Sequence, residues 1–128
     1  MAAQLAEVMA RAEGALSVVG RHLDVSAAFL FGSQVEGGAD EHSDIDIAVF
    51  APGVETWTFV EHVNVATRIQ AELSNDIELH FFPDDQLEHC HPASFAAYVQ
   101  KHGAPIKLPV TGQVAEERGE YEPWDADP

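Results

Sequence analysis

The stretch that most restricts the fold runs from residue 26 to residue 50. SAAFLF is a short apolar run that stops at Gly32, and IDIAVF at residues 45–50 alternates, then turns apolar, then stops at Pro52-Gly53. Both read as strands, the first of them buried. Residues 32–43 between them are rich in Gly, Ser and charge. They read as a loop with a short helix after Ser33. A chain that sets two such strands so close together must build a sheet around them.

The flanking segments supply the cover. In residues 3–23, Leu5, Val8, Met9, Ala12, Leu16, Val19 and Leu23 recur at helical spacing, with Gly14 as a weak point. Residues 55–74 predict a second helix that begins at Glu55 or Thr56, with Phe59, Val63, Ala66, Ile69 and Leu73 on one face. Residues 76–82 alternate as a strand: Ile77, Leu79 and Phe81 on one side, Asp76, Glu78 and His80 on the other. Pro83 ends it, and Asp84-Asp85 opens a short helix through Glu88. Residues 93–102 predict a helix closed by Gly103, and Ile106–Leu108 a last strand. The class is α/β (α+β), a small mixed sheet flanked by helices. Residues 1–110 read as a single domain. Residues 111–128 are acidic and poor in apolar residues, and read as a disordered tail.

Charge narrows the function. Twenty-two acidic residues against six basic give −16. Such a chain repels polyanions, which argues against a broad nucleic-acid surface. It favours metal ions and cationic partners. Any triphosphate would depend on backbone amides and metal for its positive field. No apolar run is long enough to span a membrane, and MAAQLAEVMARAEG lacks the basic start of a signal peptide. With one cysteine, Cys90, the expectation is a cytoplasmic protein with a reduced thiol.

The chemistry collects at the strand ends. Gly32 lets the backbone turn sharply and approach a ligand. Ser33 adds a hydroxyl and the free amides of a helix start, a cradle for phosphate. Asp44 and Asp46, two residues apart on a strand, aim at one spot. Paired carboxylates repel unless a cation lies between them, and Mg²⁺ takes one or two carboxylates plus phosphate oxygens. Glu78 reaches that spot if its strand is the neighbour. Asp76 competes for the role, but it follows the Ser74-Asn75 turn, whereas Glu78 sits between two core residues.

The stretch LFGSQVEGGADEHSDIDIAVF resembles the signature of the DNA polymerase beta-like nucleotidyltransferase superfamily, and IELHFF resembles that family's third motif, a lone acid between apolar residues. FAAYVQKHGAPIKL resembles the closing helix and strand of the minimal nucleotidyltransferases, which are often the antitoxin beside a HEPN-type toxin. The resemblance implies the polymerase beta-like fold over roughly residues 26–108. It implies that Gly32 and Ser33 hold the triphosphate, and that Asp44, Asp46 and Glu78 are catalytic and bind two Mg²⁺. Glu78 also helps activate the attacking hydroxyl. The implied reaction moves AMP from ATP onto a hydroxyl of a partner protein or an RNA. The implied partner is a HEPN-type toxin or a second copy of the chain. The pattern breaks at one place. Minimal members usually read Gly-Ser-x-Ala-Arg-Gly, and Glu36 stands where the arginine is expected. A negative charge there opposes a triphosphate unless it points away.

Other signals are weaker. His42 and Ser43 precede the acidic pair and are expected beside the nucleotide. His80 shares a strand face with Glu78 and reads as a polar-face residue first. His80 with His89-Cys90-His91 does not match the spaced ligand pairs of structural zinc. Trp57 and Phe59 read as helix packing before base stacking. Two rival functions stand beside the transferase: a binding module that acts by contact, favoured by Glu36 and the few basic residues, and aminoglycoside nucleotidyl transfer.

Overall fold

The computed structural model describes residues 2–38 and 43–109; His42 and the expected tail over 111–128 lie outside the described residues. Four strands form one sheet: β1 (Ala27–Phe31), β2 (Ile45–Ala51), β3 (Ile77–Pro83) and β4 (Ala104–Pro105). Their order is β3-β2-β1-β4. β1 runs antiparallel to β2 and to β4, while β2 and β3 are parallel. The sheet is mixed, as expected.

Helices α1 (Ala2–Gly20) and α3 (Phe59–Gln70) flank it, with a short α2 (Ser33–Glu36) after β1 and α4 (Phe95–His102) before β4. Every residue of β2 is buried except Asp46, which fits a central strand covered on both faces. On one face Leu30, Ile47, Val49 and Phe81 pack against Ala12, Leu16 and Val19 of α1 and Ile69 of α3. On the other, Phe31, Ala48 and Phe50 meet Ala96 and Val99 of α4. Each fully buried Leu, Ile or Phe here contributes about 1.5–3 kcal/mol. Among the described residues no helix is long and apolar enough to cross a membrane.

Several expected boundaries move. α3 begins at Phe59, not at Glu55 or Thr56, because Thr58 is its cap. The Thr58 hydroxyl accepts from the Glu61 amide at 3.1 Å, and Glu61 Oε1 accepts from the Thr58 amide at 2.9 Å. That reciprocal box satisfies two donors that a helix start otherwise leaves open. The stripe α3 lays on the core is Val65, Ala66 and Ile69, continued by Leu73. Phe59, expected on that stripe, is 82% exposed, since it opens the helix ahead of the covered turns. Val63 also faces out. Trp57, just before the helix, does pack on the core. The last strand is Ala104–Pro105, not Ile106–Leu108. The chain meets β1 as soon as it leaves α4, because Gly103 lies against the Leu30 carbonyl. The Ile106 amide then donates to the Ala28 carbonyl at 2.9 Å.

Two ties bring β3 to its place. Arg11 of α1 grips Asp76 through two bonds of 2.8 and 2.7 Å and also reaches the Ser74 hydroxyl at 2.9 Å. The Arg11 hydrogen bonds hold the Asp76 carboxyl below its ordinary range. The pair is partly exposed, so its net stabilisation is about 1 kcal/mol or less. Gln70 Nε2, at the end of α3, donates to the Ile77 carbonyl at 2.7 Å.

A methyl at Gly103 would sit 2.5 Å from the Val99 carbonyl and 2.9 Å from that of Leu30. Gly103→Ala is therefore expected to destabilise the fold by about 1–3 kcal/mol. At Gly14 nothing lies within 4 Å of an added Cβ, and Gly14→Ala should stabilise α1 by about 0.5–1 kcal/mol. Urea unfolding of the two variants reads both signs.

Candidate active site

The sheet gathers its polar groups at one end. There β1 finishes while β2 and β3 begin. Phe31 is opposite Asp46, and Asp46 is opposite Glu78, so the three form one row across the strands. One step further along, Ala48 is opposite His80. Residues in register share a face, which puts Asp46, Glu78 and His80 on the side that α4 covers. Their ligand atoms lie within 4.8 Å of one another. His80 Nε2 is 3.5 Å from Asp46 Oδ1 and 3.9 Å from Glu78 Oε1.

That nitrogen is buried, and among the described residues it has no hydrogen-bond partner. A buried polar atom without a partner is costly. Two carboxylates and an unpartnered imidazole nitrogen facing one point make a donor set that a divalent cation fits. Its ring is set edge-on against Phe31 at 5.1 Å and Phe95 at 6.1 Å.

Gly32 closes the site from the β1 side. Its φ is +84°, a region that side chains avoid, and a Cβ there would meet Asp46 Oδ2 at 2.7 Å. The bare backbone thus lies directly against the carboxylate. Beyond it α2 turns tightly, with the amides of Val35 and Glu36 both donating to the Gly32 carbonyl at 3.0 Å. Ser33 is the first residue of this turn and is half-buried. Gln34 Nε2 reaches across to the carbonyls of Ser43 at 3.2 Å and Asp44 at 3.4 Å. It holds the two ends of the connecting loop together.

The expected residues separate on inspection. Asp44 precedes β2, is exposed and stands outside the group formed by Asp46, Glu78 and His80. The strand begins at Ile45, so strand alternation does not govern Asp44. Asp76 turns toward α1 and is taken by Arg11. His80 is the member that sequence reading ranked too low. The signal was present: Glu78 and His80 stand two apart in IELHFF, as Asp44 and Asp46 do in DIDI. His89, Cys90 and His91 join no metal-ligating group among the described residues. Cys90 instead accepts from Gln100 Nε2 at 3.8 Å, and His91 Nδ1 from the Ala93 amide at 3.0 Å.

Glu36 has a partner. The Tyr98 hydroxyl of α4 donates to its Oε2. This hydrogen bond first, then burial and the Glu36 charge, pushes the Tyr98 phenol above its ordinary range. The ring of Tyr98 stacks on Phe95, and Phe95 meets Phe31 edge-on at 5.3 Å. One chain of contacts links Glu36 to the rings around His80.

Comparison with known proteins bears on the fold and the family. No protein of curated function matches the chain. Among solved structures, a candidate nucleotidyltransferase from Sulfolobus solfataricus is similar at 15% identity and a TM-score of 0.55, over 66% of this chain and 75% of that one. A toxin-antitoxin complex with AMP-PNP is 23% identical with a TM-score of 0.49, over 77% of this chain and 75% of that one. The family model for polymerase beta, nucleotidyltransferase, matches residues 15–106, well over half of the chain. The chain belongs to the polymerase beta nucleotidyltransferase family.

Proposed function

We propose that this chain transfers a nucleoside monophosphate, AMP from ATP, onto a hydroxyl of a partner protein or an RNA. One observation carries the reading. Asp46 and Glu78 stand side by side on parallel strands, with the bare backbone of Gly32 against the Asp46 carboxylate. Such a group would hold metal beside the phosphates of a nucleotide. Asp44 lies two residues before Asp46 and is exposed, open to a second ion that would enter with the nucleotide. The family resemblance suggests Mg²⁺ as both ions. Bound metal would neutralise phosphate oxygens and make the α-phosphorus easier to attack.

The residues divide the remaining work. Gly32, Ser33 and Ser43 line the approach of the triphosphate. Glu78, the more exposed carboxylate, accepts the proton of the attacking hydroxyl. The hydroxyl oxygen bonds to the α-phosphorus as the bond to the bridging oxygen breaks. Pyrophosphate leaves with that electron pair. Glu36 is less of an obstacle than its charge suggests, because the Tyr98 hydroxyl bonds its carboxylate. The partner that the sequence resemblance favours is a HEPN-type toxin in the cytoplasm, with a second copy of the chain as the alternative.

A contact-only role is the second reading. Exposed Phe59, Val60 and Val63 on α3 favour it, since they offer apolar surface to a partner.

Labelled ATP with Mg²⁺ and a co-purified partner separates the two. Asp46→Asn should lower label transfer at least about a hundredfold, the equivalent of several kcal/mol in the barrier. Gly32→Ala should do so too, since its Cβ displaces the Asp46 carboxylate. Absence of label with wild type and every nucleotide, together with tight partner binding by Asp46→Asn, would establish the contact role instead.

The Glu36 tie has its own test. In an absorbance titration referenced to Tyr98→Phe, Tyr98 should ionise above the ordinary value of about 10. Glu36→Gln should bring it down. A raised phenol value means the tie stabilises fully at neutral pH and is lost as pH rises through the raised value. An unchanged titration in Glu36→Gln would refute the tie.

A further inference from the structure

We infer that His80 is itself a metal ligand, and that the site therefore prefers a first-row transition dication such as Mn²⁺ over Mg²⁺. The inference rests on the reading of Asp46 and Glu78 as metal-holding carboxylates. It goes beyond that reading in naming a nitrogen donor and the class of ion that the donor selects.

Three observations on His80 carry it. Its Nε2 is buried and has no hydrogen-bond partner among the described residues. The same atom faces both carboxylates, at 3.5 Å from Asp46 Oδ1 and 3.9 Å from Glu78 Oε1. Ligands about 2.0–2.2 Å from one ion lie roughly 3 to 4.3 Å from each other, according to the angle between them. The observed separations fall in that range, and they are too long for good hydrogen bonds. Third, the ring is clamped edge-on by Phe31 and Phe95, so the nitrogen is aimed before any ion arrives.

The chemistry then selects the ion. Mg²⁺ is a hard cation that takes oxygen donors and keeps several waters. Imidazole suits the first-row transition ions better, and two carboxylates with one imidazole also suit Mn²⁺. Replacing an oxygen donor by Nε2 lowers the standing of Mg²⁺ relative to its competitors. Asp46 and Glu78 alone would not discriminate in this way.

The test uses the nucleotide-free full chain and Mn²⁺ alone. Pulsed electron paramagnetic resonance of bound Mn²⁺ should show coupling to one imidazole nitrogen. In competition, Mg²⁺ should displace half the Mn²⁺ only at a large excess. His80→Phe keeps a ring between Phe31 and Phe95. It should abolish the nitrogen coupling and shrink the Mn²⁺-over-Mg²⁺ preference at least about tenfold. The fold of that variant is checked by circular dichroism, and His80→Asn serves if it fails. Mn²⁺ bound with oxygen coupling alone, or an equal preference in wild type and variant, would overturn the inference. Label transfer with Mg²⁺ that persists under either result leaves the transferase reading standing. Loss of all metal binding and all transfer would remove both.

Discussion

Asp46 and Glu78 carry like charges and stand opposite each other on parallel strands. Like charges that close together repel. Much of the structure works against that. Ile45 and Ile77 are buried directly below them in the same register, and the Ile45 amide donates to the Asp76 carbonyl at 2.7 Å. Arg11 pins Asp76, the residue just before β3. Buried apolar side chains and a charge clamp thus hold two carboxylates in a place that neither would choose. A cation between them would offset that repulsion.

The helix on the site's own face of the sheet serves the same spot. α4 lays Ala96 and Val99 on Phe31, Ala48 and Phe50. Its first turn carries Phe95 and Tyr98 outward, where they meet His80 and Glu36. The helix that closes the second core thereby orients the imidazole and engages the one acid that breaks the family pattern. Gly103 then turns the chain directly onto β1. Packing and site geometry are built from the same few residues.

Much of this was legible in the sequence, and the exceptions share a cause. Short-range periodicity marked α1, β1, β2 and β3 and the polar face of β3. Long-range pairing was not visible. Asp76 and Glu78 share an alternating pattern, yet only α1 decides that Asp76 turns to Arg11. The start of α3 was legible in principle, since Thr58 and Glu61 form a capping-box spacing. Phe59 misled because a residue can have helical spacing and still precede the turns that meet the core. Asp44 shows the matching limit, as an i, i+2 spacing has meaning only inside the strand.

By itself, the sequence determined a turn at Gly32, where side chains are disfavoured, and an acid at Asp46 on a strand whose other face is apolar. Those features follow from local rules: the conformational freedom of glycine and the two-residue period of a strand. Only the tertiary structure decided which groups meet Asp46. Glu78 and His80 do so because β3 pairs in parallel with β2 at one register, and a slip of one residue would turn both away. Glu36 gained Tyr98 from a helix far along the chain, because α4 packs on Phe31 close to the start of α2. Contacts between distant segments depend on how whole faces pack, and no local pattern encodes that choice.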